Sequence, residues 1–275
     1  MRLLPSLLAG NNRVLILSLV ATAVLSLLPI SSHATVDWNE GFEYASDAAL
    51  GAVWDTSCLG NPGVSTSRPR SGSKSLRLVY NGKVGVDPGA GGCFIDRYLP
   101  ALSDTVYIRT YVFLENFTVD SVGTKMIFVG QSGSYPNFWW EMYYGAPNFN
   151  MSITSLVPNS FNIGGGSIPQ NQWVCLEGRI TMNTPGAANG IIQSWVNGAQ
   201  QINQTTAFLR NAVLIQQNGP NSRLQLVRLY TQHGRGVIYY DDFAVSRDAR
   251  IGCSGSPPPA GDTTPPVPPV GVFLR

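Results

Sequence analysis

Charged residues are scarce, at 12% of 275, about half the share usual in soluble proteins. Arg2 and Arg13 are the only charges before Ala34, and with those two set aside acidic and basic residues balance. The chain therefore lacks the basic surplus that neutralises a phosphate backbone, and nucleic acid is not an expected partner. Histidine is nearly absent, with only His33 and His233, and the four cysteines show no CxxC spacing. A Cys/His zinc site is not expected on those grounds. No apolar run after residue 34 approaches the ~20 residues needed to cross a bilayer, so no membrane span is expected once the leader is removed. A helical period is nowhere sustained over two turns, and no repeat of the length used by solenoids or propellers is visible.

What is present points to an exported all-β chain. Residues 1–34 read as a signal peptide: Arg2 and Arg13 at the start, an apolar stretch over 14–28, and Ser32-His33-Ala34 as a small-x-small cleavage site. Export gives the even cysteine count a meaning, because an oxidising compartment favours disulfides. Four cysteines allow three pairings. Cys58–Cys93 and Cys175–Cys253 are preferred, the second tying a central strand to the end of the last one. Short alternating or apolar runs separated by Gly, Asn, Pro and Ser clusters predict strands at 75–80, 105–114, 125–129, 138–144, 173–182, 190–196, 224–230 and 237–245. Asn81-Gly82 and Asn197-Gly198 are hairpin-type turns. The fold class expected is all-β, a two-sheet antiparallel β-sandwich or jelly roll over 35–253. Beyond Cys253 the Pro-rich stretch 254–275 cannot donate to a sheet and reads as a semi-rigid linker.

Alternation sorts strand side chains onto two faces. At 137–144 one face carries Phe138, Trp140, Met142 and Tyr144, which suits a core. The other carries Asn137, Trp139, Glu141 and Tyr143, combining flat rings with polar groups as a sugar-binding surface requires. At 105–112 the set Tyr107, Arg109 and Tyr111 shares a side, Lys125 and Gln131 flank an apolar strand, and Glu177 stands with Arg179. The plainer reading is that a half-buried sheet shows a polar face to water in any case. His233, in Tyr230-Thr231-Gln232-His233-Gly234-Arg235 just past the strand carrying Arg228, joins imidazole, guanidinium and phenol in one loop. Such a loop could remove a proton beside a carboxylate.

The run of landmarks Asn39-Glu40-Gly41-Phe42-Glu43, Ser71-Gly72-Ser73-Lys74-Ser75-Leu76-Arg77, Val106-Tyr107-Ile108-Arg109, Trp173-Val174-Cys175-Leu176-Glu177, Ile192-Gln193-Ser194-Trp195-Val196-Asn197-Gly198 and Tyr239-Tyr240-Asp241-Asp242-Phe243 resembles concanavalin A-like β-jelly rolls. The secreted polysaccharide lyases of that fold, glucuronan-lyase-like and heparin-lyase-like, are nearest in flavour. The resemblance implies a structural calcium held by Glu43, Ser71 and Asp241 or Asp242. It also implies a cleft whose candidate catalytic residues are Arg109, Lys125, Glu141, Tyr143 and His233, with Tyr107, Gln131, Trp139, Arg228 and Arg235 binding substrate. The closely spaced carboxylate run of the glucanases sharing this fold is missing, as are the best-marked alginate-lyase signatures. The leading expectation is a secreted, extracellular carbohydrate-active protein, in its specific form a lyase cutting uronic-acid-containing polysaccharide by β-elimination. The alternative is a non-catalytic carbohydrate-binding or adhesion module.

Overall fold

The computed structural model describes residues 34–58, 61–82, 93–119, 123–131, 134–143, 149–155, 163–210 and 223–253, and within 131–167 the backbone course alone. Nearly all of the leader and the whole Pro-rich tail 254–275 lie outside the described residues. The strands are β1 (Val36–Glu40), β2 (Asp55–Thr56), β3 (Gly63–Ser65), β4 (Ser75–Asn81), β5 (Cys93–Ser103), β6 (Thr105–Thr118), β7 (Thr124–Gln131) and β8 (Ser134–Tyr143). They continue with β9 (Phe149–Ser155), β10 (Ile163–Ile168), β11 (Trp173–Thr181), β12 (Gly190–Val196), β13 (Ala199–Ala207), β14 (Leu224–Gln232) and β15 (Arg235–Ser246). One short helix, α1 (Asp47–Gly51), interrupts them, its first turn capped by Ser46, whose side chain accepts from the Ala49 amide.

Two antiparallel sheets result. The first has the order β13-β12-β11-β6-β15-β4-β3, with β1 also against β15, and the second β10-β9-β8-β7-β14-β5-β2. The chain passes between sheets at β1 to β2, β2 to β3, β4 to β5, β5 to β6, β6 to β7, β10 to β11, β13 to β14 and β14 to β15, so the fold is the expected jelly-roll sandwich. Alternation explains the core. Leu76 and Leu78 of β4, Val106, Ile108, Val112 and Leu114 of β6, and Ile238 and Tyr240 of β15 turn inward from the first sheet. Ile95 of β5, Ile127 and Val129 of β7, and Leu224, Val227 and Leu229 of β14 meet them from the second. Burying each such side chain contributes roughly 1.5–3 kcal/mol before chain entropy is set against it.

The turns carry out what their residues allow. Asn197 and Gly198 both take left-handed φ, 48° and 82°, as a two-residue hairpin between β12 and β13 requires. His233 and Gly234 do the same at 60° and 73°, but this pair carries the chain from the second sheet to the first. Disulfides join Cys58 to Cys93 and Cys175 to Cys253, the pairing preferred from the sequence. Within the opening Asn39-Glu40-Gly41-Phe42-Glu43 stretch, Glu40 is buried between the sheets. Its carboxylate accepts from the Phe42 amide at 2.7 Å, the Trp54 indole at 3.2 Å and the Tyr44 hydroxyl, and pairs with Arg97 at 3.2 Å.

Candidate functional site

The outward face of the second sheet assembles its candidates by register. One cross-strand row runs Thr154, Trp139, Phe128, Arg228, Asp96, Asp55 through β9, β8, β7, β14, β5 and β2. The next runs Ser152, Glu141, Lys125, Gln232. Glu141 and Trp139 are two residues apart, whereas their partners Lys125 and Phe128 are three apart. A bulge in β7 between Lys125 and Ile127 absorbs the extra residue. In register, Trp140 stands opposite Ile127 and Phe138 opposite Val129, and the side chains of Ile127 and Val129 lie in the core.

Arg228 is the fixed point of this face. Its guanidinium donates to Asp96 through Nε at 2.6 Å and Nη2 at 2.7 Å, a bidentate geometry that fixes the guanidinium plane. The same group lies 3.8 Å from the Phe94 ring centre and 5.5 Å from that of Phe128. Burial raises the Asp96 carboxyl, and the Arg228 pairing opposes that rise. Beneath it, Phe128, Leu226 and Tyr230 form a buried floor against which Phe94 packs. Burial pushes the Tyr230 phenol up to about 12, with Arg228 pulling it down. This phenol therefore stays protonated at neutral pH.

His233 is half-buried and follows Gln232, the register partner of Lys125. A Cβ added at Gly234 would come within 2.6 Å of the Thr124 hydroxyl, so the turn bearing His233 sits directly on the start of β7. Lys125, Glu141, Gln232 and His233 thus belong to one corner of the face. Gln131 ends β7, and Tyr143, two residues beyond Glu141, pairs with Asn150. Arg235 opens β15 and is exposed, its guanidinium lying over Gly82.

The structure does not bring Arg109 or Tyr107 to this corner. Both lie on β6 of the first sheet, facing away from the second, because Val106, Ile108 and Val112 of the same strand fill the core. Arg109 instead donates to the Asp242 carbonyl at 3.1 Å and to Asn39 at 3.3 Å, and Arg179 stacks 5.1 Å from the Tyr107 ring. The expectation of one cleft uniting Arg109 with Glu141, Tyr143 and His233 is corrected accordingly: alternation identified the face but not the sheet. Glu177 is also occupied elsewhere, accepting from the Gly252 amide at 2.7 Å and pairing with Arg250.

Asp96, Phe94 and Phe128 were not among the sequence candidates, and Tyr230 was named only as the phenol of the His233 loop. Tyr230 was within reach, since it lies in phase with Arg228 on the same expected strand. Phe94 and Asp96 lie on β5, where no strand was expected.

The residues named for calcium do meet at the junction of the first and last strands. Glu43 accepts from the amides of Ser73 and Lys74, both at 2.9 Å, and from the Ser73 hydroxyl at 2.7 Å. Asp241 accepts from the amides of Arg70, Ser71 and Asp242. Asp242 accepts from the Ser71 hydroxyl at 2.7 Å and pairs with Arg70. Burial, reinforced by the neighbouring Asp242 charge, pushes the Asp241 carboxyl up to about 7. Among the described residues, only Cys175, Glu177 and Cys253 bring three ligand-type atoms within 4.8 Å of one another, and those cysteines form a disulfide. The Glu43, Asp241 and Asp242 carboxylates, already holding protein donors and not convergent, do not fit a calcium ion.

The fold and this face define a class: a two-sheet β-jelly roll with a polar, aromatic-floored outer sheet surface. Structural comparison places it among jelly rolls that include polysaccharide lyases. It is similar to the alginate lyase Aly36B bound to an alginate trisaccharide, at 12% identity and a TM-score of 0.59, over 78% of this chain and 100% of that one. It is also similar to a marine alginate lyase from Aplysia kurodai, at 18% and 0.54 over 78% and 100%. An endo-β-1,4-glucuronan lyase from Trichoderma reesei matches at 15% and 0.50, over 77% and 95%. No protein-family model matches the sequence, and no curated protein matches it either.

Proposed function

We propose that the protein is a secreted polysaccharide lyase whose groove is the outward face of the second sheet, acting on uronic-acid-containing chains. The observation that carries this reading is the corner where Lys125, Glu141 and Gln232 share a register row beside the His233 turn. It adjoins a row holding Trp139 and the Arg228–Asp96 pair. The three similar lyases act on alginate or glucuronan, uronate polymers, and the two disulfides suit an oxidising, extracellular compartment.

β-Elimination asks three things of such a corner. A cation must neutralise the uronate carboxylate so that the C5 proton becomes acidic; Lys125 has that role. A base must take the C5 proton, whose electron pair forms the C4–C5 double bond as the bond from C4 to the glycosidic oxygen breaks. The departing oxygen then needs a proton. His233 and Tyr143 supply base and acid, positioned groups of this kind contributing typically about 10²–10⁴-fold each. Arg228, held by Asp96, is a positioning residue that keeps the Phe94 and Phe128 rings in place. Trp139, Gln131 and Arg235 bind the flanking sugars, and Glu141, the register partner of Lys125, completes the catalytic set.

Incubation with a panel of uronate polysaccharides, followed by absorbance of the unsaturated product, tests the reading. Product from at least one polymer is expected. Binding without product, lost on Trp139→Ala, would instead establish the carbohydrate-binding module.

A further inference from the structure

We propose that the junction of the first and last strands is closed by the chain's own donors, the Arg70 guanidinium and the backbone amides of the turn 70–74, standing where a divalent ion would otherwise be needed. Three acidic residues meet there; buried Asp241 is met by three backbone amides, and buried Asp242 demands a counter-charge. The structure supplies it from the turn 70–74. The Arg70 guanidinium pairs with Asp242 and lies 3.3 Å from the centre of the Tyr111 ring, a site with only 18% of its side chain exposed. The Lys74 ammonium caps the Tyr44 carbonyl, next to Glu43.

The acceptors are committed in detail. Glu43 Oε1 receives two backbone amides and Asp241 Oδ2 receives two more, so each of these oxygens has both lone pairs in use. Glu43 Oε2, Asp241 Oδ1 and Asp242 Oδ1 each receive one donor, and Asp242 Oδ2 faces the guanidinium. Calcium takes six to eight oxygens about one centre, and N–H groups aimed at these oxygens leave no such centre. Gly72 makes the arrangement feasible: its φ is +59°, and a Cβ there would fall 2.3 Å from Glu43 Oε1. The turn can close on Glu43 only because residue 72 lacks a side chain.

The test uses the full chain, dialysed against EGTA and unfolded thermally with and without millimolar CaCl₂. The two midpoints should agree within about 1 °C, since a ligand that binds neither state shifts nothing. A rise of several degrees with calcium overturns the proposal, as does about one calcium per chain retained after purification without chelator. Arg70→Gln should lower the midpoint by more than about 5 °C, and Arg70→Gln/Asp242→Asn should recover much of that loss by removing the stranded carboxylate. Additive losses in the double variant would contradict the assigned role of the guanidinium. Should Arg70→Gln fail to fold, the calcium titration of the native chain decides alone.

Discussion

The two outward faces of the sandwich are built from similar residues and hold them differently. On the first sheet, arginines lie over aromatic rings and are committed to the chain itself. Arg68 covers Phe113 and pairs with Glu115, Arg70 covers Tyr111 and pairs with Asp242, and Arg250 covers Trp195 and pairs with Glu177. The segment after β15 crosses this face and is pinned there by Cys175–Cys253 and by the Tyr111 hydroxyl, which donates to the Cys253 carbonyl. On the second sheet one guanidinium, Arg228, is fixed by Asp96, and the corner around Lys125 and His233 lies beside it. Composition alone therefore does not mark a binding face. What differs is where the guanidinium comes from: Arg68 and Arg70 precede β4 and Arg250 follows β15, outside the strands they cover, whereas Arg228 belongs to a strand of the second sheet itself.

The largest expected effect that separates the faces is on catalysis. Lys125→Ala and His233→Ala should each lower product formation by at least about 100-fold with unfolding midpoints near the native value, checked by steady-state rates alongside thermal melts. The next is on stability within the second face. Arg228→Met alone should cost about 3–5 kcal/mol because it strands the buried Asp96, whereas Arg228→Met/Asp96→Leu should cost markedly less. Urea titration of the two variants measures the difference.

Smaller effects fall on the first face. Replacing Cys175 and Cys253 by serine should destabilise by about 2–4 kcal/mol. Its sequence separation of 78 against 35 for Cys58–Cys93 makes its loss the larger of the two by roughly 0.7 kcal/mol on chain entropy. The smallest is a pH effect. The Asp241 carboxyl, raised to about 7 in the folded state, contributes stability that is complete below the unfolded carboxylate range and lost as pH rises through about 7. A fall in the melting midpoint from about pH 5 to pH 8 is expected, and Asp241→Asn should flatten that slope whatever it does to the midpoint itself.

Much of this was legible beforehand, for identifiable reasons. Period-two alternation is a local property, so the strands carrying Val106 to Leu114 and Leu224 to Tyr230 were found. Asn197-Gly198 was readable because a two-residue turn with both φ positive selects those residues. Sheet membership is not local. Arg109 and Arg228 look alike in sequence, each on alternate positions of an apolar strand, and only the order of strands sends them to opposite sides of the molecule. The bulge at Lys125 was equally hidden, since it depends on how β7 meets β8 rather than on either strand by itself. The acidic residues at the strand junction were found, but the role of Arg70 was not, because its pairing with Asp242 spans nearly the whole fold.

The central claim is that the groove lies on the second sheet, and the most direct test compares Lys125→Ala with Arg109→Ala on the same uronate polymer. The account predicts that unsaturated product disappears in the first variant and forms within about twofold of the native rate in the second. Loss of product in Arg109→Ala, with Lys125→Ala retaining it, would contradict the account and move the groove to the first sheet.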